Sequence, residues 1–570
     1  MKKWGLVLIA AVAIASPALA GIFTTHDTLI RVPADATSTD SGDTGPNGTD
    51  TIHLDARVYI PDGVSAPAPV VVIIHGYGAS KTTGTVVTIA QDFAAAGYVV
   101  LTPTMRGFGD SDGLVTLAGP NEINDLKTII TDMQTGTIGD TPAVAIPVNS
   151  SSKFGVTGAS YGGGHSWEIM RTHVAGLTAV APVIGWTDLY QSLAPNNVTK
   201  LGFDLALFAS GFDTNMPNYD DVMFNWADDM LSGHPEDIRT GGHTRNIDWR
   251  SVIFNPTELT VPAFVIQGWN DWLFPAEQAT DLFQTPNTIP FFKMYIGGIG
   301  HPRATTDITV PEAVYLRQQV LRWFDYWLKG IDNGIENEPR VTIGPEKTVN
   351  FSQATLIQSD TFPLAGTTST TYYVNGGGLS TTVATKGKPR SISANTFPAV
   401  LQPIQNALGG SASGLIQAII AVNNSVNSGG GIEDPNIDTG FDDGANSQTY
   451  VTGPLAQNTH VVGRPDFQLF VSAKRANAYY YAELVERDAN GVDHLVSRAA
   501  IKDTSSGFST PHEIDFSAFG VNRVFEAGNR IGLRIASRDY PFFLVNANQP
   551  TIKFYRRSPT DSNMTLPIVP

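Results

Sequence analysis

The sequence predicts an α/β domain built on a mostly parallel sheet, followed by an all-β domain. Three observations predict it. Between 70 and 300, short apolar runs at 70–74, 98–104, 153–157, 177–183, 263–267 and 291–296 alternate with helical spans such as the Ala-rich stretch 86–96. Apolar runs separated by helices imply a parallel sheet covered on both faces. One of these runs turns sharply through Gly158-Ala159-Ser160-Tyr161-Gly162 into a helical pattern with Trp167, Met170 and Val174 on one face. From about 345 the texture changes: the runs 371–374, 467–472, 479–485 and 530–535 alternate with period two, and Asn490-Gly491 reads as a hairpin turn.

The 570 residues leave room for about two or three domains, each with its own core. Residues 1–20 read as a secretory signal: Lys2 and Lys3 at the start, an apolar segment from Gly5 to Ala15, and Ala18-Leu19-Ala20 as a small-residue cleavage site. That apolar run is too short to span a bilayer comfortably. The chain is expected to be secreted or periplasmic. It has no cysteine, which excludes disulfides, thiolate metal sites and a lipoprotein anchor. The net charge of −17 argues against nucleic acid or an anionic membrane as partner and fits a solubilised exported surface.

In chain order, 21–62 reads as an opening hairpin. Its strands at 28–32 and 53–60 flank a Thr/Ser/Asp/Gly-rich loop, 34–50, whose aspartates have no recognisable calcium-loop spacing. The catalytic-type domain runs over 21–344. Within it, 187–255 interrupts the alternation with Asp, Asn, Trp and Phe and helical patches near Leu205 and Met223 to Met230. A helical cap inserted over a site is the expected use, selecting substrates by shape and excluding water. After His301 comes a strong helix with Pro311 near its first turn, a stripe of Leu316, Val320, Trp323 and Trp327, and Gly330 at its end. The all-β domain, 345–570, is expected to be a jelly-roll-like sandwich. The apolar, Gly-interrupted span 401–424 breaks its pattern and reads as a helical insertion.

Strand, G-x-S-x-G, helix is a nucleophile elbow, in which a strained turn exposes a serine hydroxyl and its neighbours must lack side chains. A hydroxyl needs a base. In chain order Ser, acid, His, the base belongs on the loop after the last sheet strand. Of eleven histidines, His301 follows the run 291–296 through Gly297-Gly298-Ile299-Gly300, which lets the loop curl back. His165 lies on the elbow helix and His173, His234 and His243 on helix or cap; the last three belong to the β domain. Asp271 follows the run 263–267 through Gly268-Trp269-Asn270 and is the candidate acid, with Glu277 as the fallback. For the developing oxyanion, the backbone N–H of Tyr161 is one donor. Tyr77, in His75-Gly76-Tyr77-Gly78 after the first parallel strand, offers either its backbone N–H or its phenol, and His75 at the base of that loop reads as structural.

Several motifs together resemble one known family. They are Gly158–Gly163, the R-G-x-G-x-S-x-G loop at 106–113, Gly268-Trp269-Asn270-Asp271, and above all Trp323-Phe324-Asp325-Tyr326-Trp327-Leu328-Lys329-Gly330. In the last domain, Phe525-Glu-Ala-Gly528-Asn-Arg530-Ile and Ser537-Arg-Asp539-Tyr-Pro541 resemble the family's β-sandwich. The chain resembles the α/β-hydrolase family that contains X-Pro dipeptidyl-peptidases, cocaine esterase and glutaryl acylases. The resemblance implies an α/β-hydrolase fold with a helical cap and a jelly-roll-like domain. It implies a Ser160–Asp271–His301 triad, a tyrosine hydroxyl in the oxyanion hole that falls on Tyr77, and acyl transfer to water without a cofactor.

It leaves the substrate open between esters, amides and prolyl peptides. His75-Gly76 and the Gly162-Gly163-Gly164 run are closer to lipases, cutinases and secreted polyesterases. A dipeptidyl-peptidase also needs carboxylates for a free amino terminus, for which Asp188, Asp213, Asp220 and Asp221 are the cap candidates. The main reading is a secreted serine hydrolase acting on a small ester or amide. The alternatives are an X-Pro dipeptidyl-peptidase, a polyesterase, and a polymer-binding protein with an inert hydrolase fold. Cleavage after Ala20 predicts that mass spectrometry of exported protein finds an amino terminus at Gly21; retention of Met1 would contradict it.

Overall fold

The computed structural model describes residues 22–34, 51–211, 219–240, 245–301, 310–345, 351–383, 388–393, 399–427, 446–505, 511–557 and 560–570. The signal-like segment, nearly all of the loop 34–50, Asp213 and His243 lie outside the described residues.

Ten strands form the first sheet: β1 (Phe23–Pro33), β2 (Thr51–Pro61), β3 (Val70–Ile74), β4 (Val99–Pro103), β5 (Phe154–Ala159), β6 (Leu177–Val183), β7 (Ala263–Asn270), β8 (Phe292–Gly300), β9 (Val341–Ile343) and β10 (Ile357–Ser359). Their spatial order is β1-β2-β4-β3-β5-β6-β7-β8-β9-β10. The strands from β4 to β9 pair in parallel, and β1, β2 and β10 are antiparallel additions at the edges. The sheet therefore runs beyond the expected boundary at 344. β9 and β10 are three residues each, too short for any periodicity to show in the sequence.

Strand alternation sends side chains to two separate cores. Val70, Val72 and Ile74 of β3 join a core with Ile123, Leu126, Ile130, Trp167 and Met170. Val71 and Ile73 join the opposite core with Val86, Phe93, Trp323 and Phe324. Thus α1 (Gly84–Ala95) and the last helix, Val310–Lys329, cover one face. The other face is covered by α2 (Pro120–Met133) and α3 (Tyr161–Glu168). The elbow helix is shorter than its apolar stripe predicts. It tightens into a 3-10 turn at Ile169–Thr172, and His173 ends it at φ 49°.

Between β6 and β7 lie α4 (Leu189–Leu193), α5 (Leu201–Gly211) and α6 (Asp221–Ser232), the helical cap. Asp188 and Asp220 cap α4 and α6, accepting from the Gln191 and Val222 N–H groups, which satisfies helix-terminal donors. After β7 come α7 (Glu277–Gln284) and α8, the Val310–Lys329 helix, whose chain leaves through Gly330 at φ 69°.

Among the described residues, the second domain holds two large antiparallel sheets and one two-stranded ladder. One, of nine strands, is built around Asp466–Ala473 and Asn563–Val569; the other orders Ser447–Val451, Arg530–Ala536, Ala478–Arg487 and Asp493–Asp503. Phe467, Leu469 and Val471 from the first and Tyr480, Leu484 and Leu533 from the second share one core. The span 401–424 is helical, as α9 (Gln402–Ala407) and α10 (Ala412–Asn427). Its apolar residues Ile404, Leu415, Ile419 and Val422 join the core of the first domain, and α10 lies against α5 of the cap. That destination explains why the span looked foreign to the period-two pattern around it.

Candidate active site

Ser160 sits between β5 and α3 at φ 59°, ψ −116°, a backbone region that costs about 1–3 kcal/mol for a residue with a side chain. The surroundings hold it there. Its N–H donates to the Val183 carbonyl at 2.9 Å, and its own carbonyl accepts from Gly163 and Gly164 at 2.8 and 3.0 Å. A Cβ on Gly158 would lie 2.6 Å from the Ile74 carbonyl oxygen, and one on Gly163 would lie 2.6 Å from that of Val183. This is the steric reason that the turn is glycine-rich.

The carboxyl ends of β3, β5, β7 and β8 bring Tyr77, Ser160, Asp271 and His301 to one edge of the sheet, where ligands of such sheets bind. His301 Nε2 lies 2.9 Å from Ser160 Oγ, and His301 Nδ1 lies 2.8 Å from Asp271 Oδ2. Because Nδ1–H donates its hydrogen bond to the carboxylate, the Nε2 lone pair faces the serine hydroxyl. The second oxygen of Asp271 accepts from the N–H groups of Leu273 (3.1 Å) and Phe274 (2.8 Å), and the carboxylate is fully buried. The Phe274 ring meets the imidazole edge-on, with centroids 5.0 Å apart. Glu277 takes no part in this chain of bonds. It starts α7, bonds the Gly520 N–H, and burial pushes its carboxyl up to about 7. It lines a separate cleft of 930 Å³ between α7 and the β domain, whose walls include neither Ser160 nor His301.

Tyr161 occupies the first position of α3, where a backbone N–H has no partner within the helix. Tyr77 is buried beside it, ring edge against ring at 5.9 Å. Burial pushes both phenols well above their usual range, so both are neutral donors. The Tyr77 hydroxyl bonds that of Tyr219, which the cap delivers. His75 has a structural place: the Met105 N–H donates to its Nε2 at 2.9 Å, its Nδ1 therefore donates to the Gly76 carbonyl at 2.7 Å, and burial holds it down to about 4.

Glu122 of α2 braces the underside of the elbow. Its carboxylate accepts from the Thr116 N–H (2.6 Å), the Ala118 N–H (2.5 Å), the Tyr161 hydroxyl (2.7 Å) and His165 Nε2 (2.9 Å). Against the cost of burial, these donors, the His165 bond first among them, hold its carboxyl down at about 2. His165 is thus fixed under the elbow and does not face Ser160.

Sequence reasoning missed Glu122, Tyr219 and Lys200. Glu122 looks like an ordinary acidic residue in a first helical turn, and Tyr219 lies in the cap with no pattern around it. Of the cap candidates for binding an amino terminus, Asp188 and Asp220 are helix caps and Asp221 is exposed in the first turn of α6. His173 lies beside Thr260, His460 beside Asn522, and His512 and His494 beside Asp503 and Asp488. His234 lies 3.7 Å from Glu236. Among the described residues, no cluster of three or more His, Asp or Glu is placed to hold a metal ion, and no helix is long and apolar enough to cross a membrane.

Fold and site together define an α/β-hydrolase of the serine-hydrolase class. Residues 50–302 match the X-Pro dipeptidyl-peptidase (S15 family) model, and residues 333–566 match that of the X-Pro dipeptidyl-peptidase C-terminal non-catalytic domain. The two models span most of the chain, which belongs to the X-Pro dipeptidyl-peptidase and cocaine esterase-like family of α/β-hydrolases. A Bacillus anthracis protein named as an Xaa-Pro dipeptidyl-peptidase is 28% identical over 266 residues, 45% of this chain and 42% of that protein. The chain therefore aligns with less than half the length of that relative. Cocaine esterase of a Rhodococcus species is 21% identical over 88% of this chain and 91% of its own. The solved structure of a CocE/NonD family hydrolase from Staphylococcus aureus superposes with a TM-score of 0.66 at 14% identity, covering 95% of this chain and 94% of that one.

Glu122→Ala is expected to lower stability by about 3–5 kcal/mol, because it strands buried donors. Since the folded carboxyl titrates near 2 and the unfolded one near 4.5, the stabilisation is complete above pH ~4.5 and is lost as pH falls towards 2, about 3 kcal/mol in all. Denaturant titrations of wild type and variant between pH 7 and pH 3 check both, and parallel curves would contradict the assignment.

Proposed function

We propose that this chain is an exported serine hydrolase that cleaves acyl ester or amide bonds through an acyl-enzyme on Ser160. The observation that carries the reading is the unbroken chain Ser160–His301–Asp271, at 2.9 and 2.8 Å, ending on a serine held at φ 59°. Ser160 Oγ attacks the carbonyl carbon while His301 Nε2 takes its proton. Asp271 keeps the imidazole in the tautomer that can do so and stabilises the imidazolium. The carbonyl oxygen, now negative, is met by the Tyr161 N–H and the Tyr77 hydroxyl. Collapse expels the alcohol or amine, which takes the proton from His301. A water then attacks the acyl-enzyme with His301 again as base, and the acid leaves with Ser160 restored.

X-Pro dipeptidyl-peptidase activity is the second reading, supported by the two family matches. It ranks below ester or amide cleavage because Asp188 and Asp220 are engaged as helix caps and Asp221 faces solvent. That leaves no obvious carboxylate among the cap candidates described for a peptide's amino terminus.

Turnover of short p-nitrophenyl esters and of dipeptidyl-proline nitroanilides, measured side by side, separates the two readings. Hydrolysis of the esters is expected, and turnover of the prolyl amides alone would reverse the order. Ser160→Ala and His301→Ala are each expected to lower kcat by about 10⁴-fold or more. Wild-type kcat/KM is expected to fall as acid protonates His301, since an imidazolium cannot accept the serine proton. A rate flat from neutral to about pH 4 would contradict His301 as the base.

A further inference from the structure

The loop after Asp271 is gripped from two sides. From the cap, the Lys200 ammonium donates to the carbonyls of Trp272 (2.7 Å) and Leu273 (3.0 Å). These are the two residues that follow Asp271, and the Leu273 N–H is one of the donors to the Asp271 carboxylate. From the β domain, Phe519 lies against Trp272 with centroids 6.1 Å apart, Phe542 meets it edge-on at 5.7 Å, and the Arg498 guanidinium lies 4.9 Å from its ring. The same Phe519 ring receives the Lys200 ammonium at 4.5 Å. The backbone beside Lys200 is also tied to the β domain, because the Leu544 N–H donates to the Thr199 carbonyl at 2.8 Å.

Lys200 is fully buried. A lysine there is costly unless its charge is used. Its hydrogen bonds go to two neutral carbonyls, and the carboxylate nearest in purpose, Asp271, is taken by His301 and two backbone N–H groups. The titratable groups that face Lys200 are Asp271, Asp204 one turn along α5, and Glu277. From the β domain, Arg498, paired with Asp539, comes to Trp272. Burial pushes the Asp204 carboxyl well above its usual range, opposed by the Lys200 charge, and both its oxygens are buried without a hydrogen-bond partner among the described residues. Burial lowers Lys200 itself to about 7, opposed by Asp271, Asp204 and Glu277.

We propose that Lys200 is a positioning residue for the Ser160–His301–Asp271 chain: it fixes the acid loop through the Trp272 and Leu273 carbonyls and sets a positive charge beside Asp271. This rests on the hydrolase reading above. The charge opposes a second positive charge on His301, so it keeps the imidazole neutral, and competent as a base, to lower pH. The domain whose family model is described as non-catalytic thereby supports the chemistry, through Phe519 and the bond to Thr199.

The test is the pH dependence of the rate at which a fluorophosphonate labels full-length protein, which needs no known substrate. Lys200→Met is expected to label about tenfold more slowly at neutral pH and to move the acid limb up by about half to one pH unit, the scale of one lost charge interaction. Lys200→Arg is expected to return the limb towards wild type even where the rate stays low, which a purely structural role would not do. Should Lys200→Met fail to fold, Lys200→Met/Asp204→Met removes both buried polar groups and is read in the same way. A limb unmoved in the neutral variant, whatever its rate, would overturn the inference and leave the hydrolase reading standing. Wild type that takes no label would overturn both.

Discussion

Ser160 is held in a backbone conformation that a residue with a side chain avoids, and the rest of the first domain is arranged to keep it there. The strain of about 1–3 kcal/mol is offset by bonds that require β5 and β6 to be in register and α3 to start at once after the turn. Those demands explain the glycines at 158 and 163, each of which meets a neighbouring carbonyl. They also explain Glu122, a buried carboxylate that ties the turn before α2 to the Tyr161 hydroxyl and to His165.

The candidate acid and base come from loops that the elbow does not control. Asp271 follows β7, and its loop is fixed by its own backbone N–H groups, by Lys200 from the cap and by Trp272 among the rings of the β domain. His301 follows β8 and is set by Asp271 on one nitrogen and by the Phe274 ring at its side. The insertion in the second domain extends the same logic, because α10 lies against α5 of the cap. Cap, acid loop and β domain thus form one support. In a site of this kind, small errors of placement cost large factors in rate.

Much of this was legible in the sequence because the chemistry imposes local rules. Parallel strands must be apolar on both faces, an elbow needs glycines around its serine, and acid and base must follow strand ends. Those rules single out Ser160, Asp271 and His301, the three side chains that the structure brings within hydrogen-bond reach. The illegible parts are those where long-range contact decides the role. Glu122 has the look of a first-turn acid favouring the helix dipole, and only the fold puts the Tyr161 hydroxyl and His165 against it. Lys200 lies in a cap with no repeat, and nothing near it in sequence announces the Trp272 carbonyl 72 residues away. The β9 and β10 strands were lost to their length. The span 401–424 was legible as helix, but its destination on the cap was not.

The most direct test of the central claim is intact-mass analysis of the wild-type protein and of Ser160→Ala after treatment with a fluorophosphonate. The account predicts one adduct on the wild type, mapped to the peptide containing Ser160, and none on the variant. An adduct that persists in Ser160→Ala, or folded wild-type protein that takes none, would contradict it.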